Sequence, residues 1–209
     1  VITQSYHPVK HITTGEGGAA LSNNPKIDER IRRLRTHGIT KDPNQMEENN
    51  DPWYYEMNEV GYNYRITDFQ CALGSSQIRK LDEFVQKRRE IAKKYNEAFS
   101  NIENLTIPVS NSAVYHAYHL YPLQIDFDNI SVTKLELFEK MKELGINLQV
   151  HYIPIHLQPF YKKNYGFNFG EYPISESFYK NEISLPIYYD LSMDDVSLVA
   201  DNILKFISA

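Results

Sequence analysis

A glycine-rich run near the start of the chain limits the possible folds more than any other feature. Residues 13–23 read TTGEGGAALSN, with three glycines inside four positions. Glycine permits backbone conformations and close approaches that a side chain forbids. The short apolar stretch from Ala19 to Leu21 follows at once, so the run predicts a tight turn that leads into a buried strand.

Lys10 is the residue whose chemistry this turn would shape. It lies within SYHPVKHITTGEGG, residues 5–18. Most lysines are solvated surface charges and have no special role. The turning backbone after Lys10 predicts a lysine held close to the main chain and not on a free helix face. If that site is partly removed from water, the amine loses its proton more easily and can attack an aldehyde. These residues therefore indicate a candidate nucleophile.

The composition argues against two classes of partner. The 209 residues carry 22 basic and 27 acidic side chains, a net charge of −5, so no global field attracts a phosphate backbone and nucleic acid is not expected. No apolar stretch approaches the roughly 20 residues that cross a bilayer, and no signal peptide is evident. The single cysteine, Cys71, lies in a helical pattern and is expected to be buried. We expect a cytoplasmic protein without membrane association.

The first third of the chain predicts a helix and a long loop. A helix opens at Pro25, with its apolar side chains on one face and solvated arginines on the rest, and stops at His37–Gly38. A polar surface loop is predicted from Ile39 to Pro52. It ends in WYYEM, residues 53–57, whose aromatic side chains we expect to anchor the loop to a core, with a binding surface as the alternative.

The remainder predicts a compact α/β unit. Thr67 and Gln70 form a capping box that starts one long helix or two, with its weakest point at Gly74–Ser76. Short strands, helices and a final amphipathic helix follow. Their predicted ranges are strands at 114–125 and 146–152, a helix at 133–144, a short apolar run at 183–187 and a helix at 193–207.

Two separated motifs resemble the DegT/DnrJ/EryC1/StrS family of sugar aminotransferases. They are SYHPVKHITTGEGGA at residues 5–19 and GYNYRITDFQCALGSSQIRKLDEF at residues 61–84. The resemblance implies an α/β chain that is the C-terminal portion of a fold type I transferase dependent on pyridoxal 5'-phosphate. Residues 1–77 would be a remnant of the large cofactor-binding domain, and residues 78–209 a long helix followed by a small α/β domain.

The resemblance also implies pyridoxal 5'-phosphate as the cofactor and assigns roles to three residues. Lys10 matches the lysine that carries the cofactor covalently and then acts as acid and base. Ser5 matches the serine whose hydroxyl binds the cofactor phosphate. Asn63 matches the asparagine of GYNYR that reaches the phosphate bound by the neighbouring subunit, which implies a homodimer with shared active sites.

The implied substrates are L-glutamate and a UDP-linked keto sugar. WYYEM and HPVK most resemble the branch of the family that serves pseudaminic acid biosynthesis, in which the amino group of glutamate moves to C4 of a 4-keto-6-deoxy-N-acetyl hexose. His151, Tyr152 and His156 match a segment near the sugar nucleotide, with core packing as the open alternative. The histidine pairs at 116 and 119 and at 151 and 156 have odd separations, so neither forms a ready metal site.

Two other functions remain open from the sequence. A dehydratase of the same family has a histidine in place of the cofactor lysine, and Lys10 argues against it although His11 lies beside it. A non-catalytic regulatory relative would keep the fold without turnover.

The chain begins with Val1 and not with methionine, and the family enzymes are nearly twice as long. We therefore expect a segment of a longer protein that binds the cofactor weakly and transaminates poorly on its own. Apolar surface that the remainder of the enzyme would cover is expected to be exposed and able to drive association.

Overall fold

A computed structural model describes residues 1–48 and 51–208, so part of the predicted polar loop lies outside the described residues. The chain divides into two compact units, Val1–Leu81 and Asp82–Ala209. None of the described helices is long and apolar enough to cross a membrane.

The first unit contains two small antiparallel ribbons and two helices. Strand β1 pairs with β2 so that Ile2 faces Leu21 and Ser5 faces Gly18. Strand β3 pairs in the same way with β4. The elements in chain order are β1 (Ile2–Ser5), β2 (Gly18–Leu21), α1 (Pro25–Leu34), β3 (Ile39–Thr40), β4 (Glu56–Met57) and α2 (Asp68–Ile78).

Helix α1 begins where the sequence predicts and ends earlier. The Asn24 side chain accepts hydrogen bonds from the first turn, and Pro25 occupies the first helical position. The helix ends at Leu34, and His37 and Gly38 then both adopt positive φ angles, 60° and 72°. The predicted stop at His37–Gly38 therefore marks the point where the chain reverses direction after the helix, and not the last turn of the helix.

Three burial predictions in the first unit are wrong. Leu21 of β2 is 48% exposed, and within residues 1–48 and 51–208 strand β2 pairs with β1 alone. Trp53 is 74% exposed and Tyr55 is also exposed, so the aromatic side chains of WYYEM do not anchor the loop to a core; of the three, Tyr54 alone is half-buried. Cys71 is exposed on α2, none of whose residues is fully buried.

The predicted capping box of α2 is present, and the helix is continuous through the predicted weak point at Gly74–Ser76. Thr67 and Gln70 exchange the expected hydrogen bonds. A side chain at Gly74 would place its Cβ 2.8 Å from Cγ2 of Thr14, so this glycine allows close packing and does not kink the helix. The break falls later, at Arg79 and Lys80, before the next helix begins.

The second unit is a three-stranded antiparallel sheet with helices. The sheet order is β5-β6-β7, with Tyr121 of the central strand opposite Leu185. The elements in chain order are α3 (Leu81–Phe99), β5 (Leu105–Thr106), β6 (Tyr121–Ile125), α4 (Lys134–Glu143), a short 3-10 helix (Ile155–Leu157), α5 (Pro159–Tyr165), α6 (Pro173–Asn181), β7 (Glu182–Leu185) and α7 (Met193–Ile207).

The hydrophobic core of the second unit lies around strand β6. Residues alternate along that strand, so Tyr121, Leu123 and Ile125 are buried. Helices α3, α4 and α7 add buried side chains, including Ile91, Tyr95, Leu137, Met141, Val196 and Ile203. The hydroxyl of Tyr95 donates to the Pro186 carbonyl at 3.0 Å, so the buried phenol has a partner.

The two predicted strands of the second unit require correction, whereas its two predicted helices are confirmed. The first strand starts only at Tyr121. The predicted strand at 146–152 forms a single bridge, between Gln149 and Ser184. Two residues further on, the His151 N–H donates to the Glu182 carboxylate at 2.9 Å. This N–H therefore does not form a backbone hydrogen bond with a neighbouring strand.

The two leucines of α4 provide a test of this core. Leu137 is fully buried, whereas Leu135 is 68% exposed on the same helix. We expect Leu137→Ala to lower the free energy of unfolding by about 2–5 kcal/mol because it leaves a cavity. Leu135→Ala should change it by less than about 0.5 kcal/mol. Urea denaturation followed by circular dichroism measures both, and equal effects would contradict the described core.

Candidate active site

Lys10 lies in the loop between β1 and β2, and hydrogen bonds close that loop at its base. The Tyr6 N–H donates to the Gly17 carbonyl at 2.9 Å. The Tyr6 carbonyl accepts from the Thr14 N–H at 3.1 Å and from the Thr13 hydroxyl at 3.0 Å. Lys10 is half-buried within the closed loop.

The glycines of TGEGG allow this closure. Gly17 has a φ of +149°, and a Cβ there would lie 2.5 Å from Oγ1 of the buried Thr14. A Cβ at Gly18 would lie 2.6 Å from the Gln4 carbonyl oxygen across the ribbon. The Thr14 hydroxyl itself donates to the Glu16 carbonyl at 2.6 Å. The glycines therefore shape the loop and have no reactive group of their own.

Ser5 is the last residue of β1 and stands at the entrance to the same loop. Its hydroxyl oxygen accepts only a long hydrogen bond, 3.4 Å, from the His7 N–H. Ser5 is exposed, and none of residues 1–48 and 51–208 accepts its hydroxyl hydrogen. The side chain can therefore donate to an anion outside the ribbon.

Asn63 lies on a separate segment that pairs with the end of α1. The Tyr62 N–H donates to the Leu34 carbonyl at 2.7 Å, and the His37 N–H donates to the Tyr62 carbonyl at 2.8 Å. Asn63 forms an antiparallel bridge with Thr36. These backbone bonds fix the position of Asn63, which is exposed. Its side-chain amide makes no hydrogen bond to the described part of the chain.

Gly38 and Gly61 make this pairing possible. A Cβ at Gly61 would lie 2.1 Å from the Gly38 nitrogen, and a Cβ at Gly38 would lie 1.8 Å from the Glu59 carbonyl oxygen. The backbones therefore cross at a distance that only glycine permits. The sequence predicted a helix stop at His37–Gly38 and placed Gly61 at the start of the second family motif, but it did not show that the two glycines meet.

An ion pair holds the same segment to α1. Glu59 accepts from Nη2 of Arg33 at 2.7 Å and from Nε at 2.8 Å. The hydrogen bond from Arg33 holds the pKa of Glu59 below its ordinary value of 4.5. Arg30 approaches the same carboxylate at 3.5 Å. The expectation of a fully solvated arginine face therefore fails for Arg33, which is half-buried in this pair.

His156 lies in the second unit and is paired within a polar network. Its Nε2 lies 2.7 Å from Oε1 of Glu176, and both residues are buried. The Gly170 N–H and the Tyr172 N–H also donate to this carboxylate, at 2.9 Å and 3.3 Å. Burial raises the pKa of Glu176, but these hydrogen bonds outweigh it and place the pKa below 4.5. The bonded nitrogen of His156 is thus occupied within the protein.

Aromatic side chains beside this pair line a cavity of about 470 Å³. Tyr152 is 70% exposed at its edge, so the cavity opens to solvent. Such walls suit a flat ring or the apolar face of a sugar. The lining includes Tyr152, Ile155, His156, Tyr161, Phe167 and Tyr172.

His151 precedes this cavity and is held by the sheet. Its Nδ1 lies 2.7 Å from Oγ of Ser184, and its ring meets that of Tyr152 edge to face at 4.6 Å between centroids. The structure thus brings His151, Tyr152 and His156 onto one segment of the second unit. Ser5 and Lys10 share one loop of the first unit, and Asn63 lies on another segment of that unit.

Known proteins match this chain along nearly its whole length. The sequence model of the DegT/DnrJ/EryC1/StrS aminotransferase family matches residues 1–204 of this chain. The UDP-4-amino-4,6-dideoxy-N-acetyl-beta-L-altrosamine transaminase of Campylobacter jejuni is 38% identical over 205 residues, which cover 97% of this chain and 51% of that protein.

Solved structures show the same relationship. Helicobacter pylori PseC, an aminotransferase involved in the biosynthesis of pseudoaminic acid, is 31% identical with a TM-score of 0.86, over 99% of this chain and 53% of its own. The Spr1654 protein of Streptococcus pneumoniae, solved in its PMP form, is 27% identical with a TM-score of 0.87, over 99% of this chain and 52% of its own.

The chain belongs to the DegT/DnrJ/EryC1/StrS aminotransferase family. Its fold is that of a C-terminal portion of the fold type I transferases dependent on pyridoxal phosphate. The chain spans about half the length of the curated relatives that it matches.

The close approach at Gly61 gives a testable prediction. We expect Gly61→Ala to lower the free energy of unfolding by about 3 kcal/mol or more, because the new Cβ overlaps the Gly38 backbone. Gly15→Ala is the matched control: Gly15 has a φ of +80° but open space around it. That substitution should cost only the backbone strain, about 1–2 kcal/mol. Thermal unfolding compares the two, and an equal or smaller loss in Gly61→Ala would contradict the pairing.

The lowered pKa of Glu176 gives a prediction with a definite sign. Its carboxylate binds a proton less tightly in the folded chain than in the unfolded chain, whose value is near 4.5. Its contribution to stability is therefore present above that value and is lost as the pH falls through the folded pKa.

We expect Glu176→Gln to lower the urea midpoint at neutral pH and this deficit to shrink as the pH falls to about 3. Glu139→Gln, at an exposed position of α4, is the control and should match the unaltered chain throughout. A deficit that grew in acid would contradict the assigned network.

Proposed function

We propose that this chain belongs to an aminotransferase that uses pyridoxal 5'-phosphate and binds it covalently through Lys10. The observation that carries the proposal is a half-buried lysine in a loop closed at its base, with a donor hydroxyl at the loop entrance. Membership of the aminotransferase family supports the proposal, as do the related structures solved in PLP and PMP forms.

The side chains present suit this cofactor. An aldehyde needs a primary amine, which Lys10 supplies, and a phosphate needs neutral or cationic donors. The Ser5 hydroxyl and the Asn63 amide are exposed donors without competing acceptors in the described part of the chain. We assign both to the cofactor phosphate, with Asn63 reaching the site of a second subunit in a homodimer.

The chemistry divides between the cofactor and the protein. The bound cofactor supplies an electron sink for the carbanion that forms at the amino-acid carbon. Lys10 would hold the cofactor covalently and, when its amine is free, would carry a proton to or from the amino-acid carbon, so one side chain would serve as both anchor and acid–base group. The hydrogen bonds that close the loop would limit the positions that the Lys10 side chain can take beside the bound cofactor.

For the substrates, we propose L-glutamate as donor and a UDP-linked 4-keto-6-deoxy-N-acetyl hexose as acceptor, aminated at C4. The names of the Campylobacter and Helicobacter relatives support a sugar of the pseudaminic acid type. His151, Tyr152 and His156 are the candidate contacts to the sugar nucleotide. Tyr152 is the most open of them to solvent, whereas His156 acts mainly by shaping the cavity.

We further propose that the activity requires more chain than these residues, because curated relatives are about twice as long. Residues 1–77 would complete a large cofactor-binding domain, and residues 78–209 would form the long helix and small domain. The whole enzyme would act in the cytoplasm, and this chain alone would bind the cofactor weakly and transaminate poorly.

Replacement of Lys10 tests the central proposal. In the complete enzyme, we expect Lys10→Ala to lower transfer of the amino group from glutamate to the keto sugar by at least about 100-fold, because covalent anchoring and proton transfer are both lost. Lys26→Ala, at an exposed position of α1, should leave the rate unchanged. The rate is measured as formation of the C4 amino sugar by mass spectrometry.

Borohydride reduction in the presence of pyridoxal phosphate, followed by peptide mapping, locates the attachment site. We expect the label on the peptide that contains Lys10. Full activity of Lys10→Ala would refute the proposal. If the unaltered enzyme binds the sugar nucleotide but forms no amino sugar, the regulatory alternative is favoured. If the label lies on another peptide and the sugar loses water, the dehydratase is favoured.

A further inference from the structure

A buried carboxylate lies behind His151 and has no role in the proposed chemistry. Glu182, the first residue of β7, is fully buried. One of its oxygens accepts from the His151 N–H at 2.9 Å, and the other accepts from the Ser184 hydroxyl. Ser184, also buried, lies 2.7 Å from Nδ1 of His151. The three residues thus form a closed hydrogen-bond circuit through three contacts, one from a backbone N–H and two between side chains.

The direction of the hydrogen bonds in this circuit follows from the number of protons. An ionised carboxylate only accepts, and a serine hydroxyl has a single hydrogen to donate. Since Ser184 donates that hydrogen to Glu182, its oxygen must accept from the imidazole. Nδ1 of His151 therefore carries a hydrogen. In the neutral imidazole the other nitrogen, Nε2, is then an acceptor.

Glu182 interacts with a charged side chain, that of Lys134, as well as with its two hydrogen-bond donors. Burial lowers the pKa of Lys134, and attraction to Glu182 opposes that change, so the ammonium interacts with the carboxylate. The carboxylate also has a hydrogen-bond donor at each oxygen, which offsets the cost of burying a charge. A protonated Glu182 would instead donate to Ser184, and the whole circuit would reverse.

We infer that Glu182 and Ser184 are positioning residues that fix His151 as the Nδ1–H tautomer, so that Nε2 accepts a hydrogen bond from a hydroxyl or amide N–H of the sugar nucleotide. His151 is half-buried, and within residues 1–48 and 51–208 nothing is hydrogen-bonded to Nε2. The inference about the ligand rests on the proposed function, whereas the tautomer is a property of this chain alone.

The tautomer is measured directly by nitrogen-15 correlation spectra of the histidine-labelled chain at alkaline pH, where imidazole is neutral. The His151 signals are assigned by their absence from the spectrum of His151→Gln. We expect the Nδ1–H form in the unaltered chain. An Nε2–H form would overturn the inference regardless of any enzyme activity.

Glu182→Gln should switch the tautomer. The glutamine oxygen can still accept from the His151 N–H, but its amide group donates to Ser184, which must then donate to Nδ1 and leave the hydrogen on Nε2. Ser184→Ala, which serves also if the glutamine variant does not fold, should abolish the preference and give a mixture. Ser197→Ala, which removes a hydroxyl of α7 bonded to the Met193 carbonyl, should leave the His151 signals unchanged.

The consequence for the ligand is measured in the complete enzyme. Glu182→Gln should raise the KM for the keto sugar nucleotide about tenfold, because two donors then face each other, while kcat at saturation and the KM for glutamate stay within about twofold. An unaltered KM together with a switched tautomer would overturn the role in recognition. An enzyme that never transaminates would refute the proposed function and leave the spectroscopic result intact.

Discussion

The closure of the β1–β2 loop is the interaction on which the candidate active site depends. Three hydrogen bonds between Tyr6 and residues 13–17 bring the two ends of the loop together. They form because Gly17 and Gly18 have no Cβ. A Cβ at Gly17 would collide with the Thr14 side chain, and a Cβ at Gly18 would collide with the Gln4 carbonyl. Without this closure, Lys10 would be an ordinary lysine on a flexible connection.

In the second unit, buried polar groups lie beside a dense apolar core and therefore need hydrogen-bond partners. Strand β7 is buried along all four residues, yet two of them are Glu182 and Ser184. Their hydrogen bonds to His151 tie the segment that lines the aromatic cavity to the central sheet. The His156–Glu176 pair fixes the next turn of that segment. The cavity thus has walls of aromatic rings and a framework of buried polar contacts.

Local signals in the sequence predicted local structure well. The capping box at Thr67, the helical range 133–144 and the amphipathic pattern of α7 all correspond to helices in the structure. The resemblance of two motifs gave the family and the fold, which the comparisons confirm. The roles of Lys10, Ser5 and Asn63 remain predictions that the geometry is compatible with.

Predictions that required knowledge of tertiary neighbours failed. The exposure of β2 and of Trp53 depends on which elements cover them, and periodicity carries no such information. The meeting of Gly38 with Gly61 is equally invisible, since the two glycines are separated by a long loop in the chain. The end of the predicted strand at His151 depends on a side chain of β7 that captures its N–H group.

Helix α2 braces the lysine loop from outside. Gly74 lets the helix rest against Thr14, and the Gln70 amide donates to the Glu16 carbonyl at 2.9 Å. If residues 5–18 were grafted onto another protein, the loop would consequently lose its shape unless the part of α2 that contains Gln70 and Gly74 were grafted as well. The smallest portable unit around Lys10 is therefore discontinuous in sequence, a ribbon together with a distant helical turn.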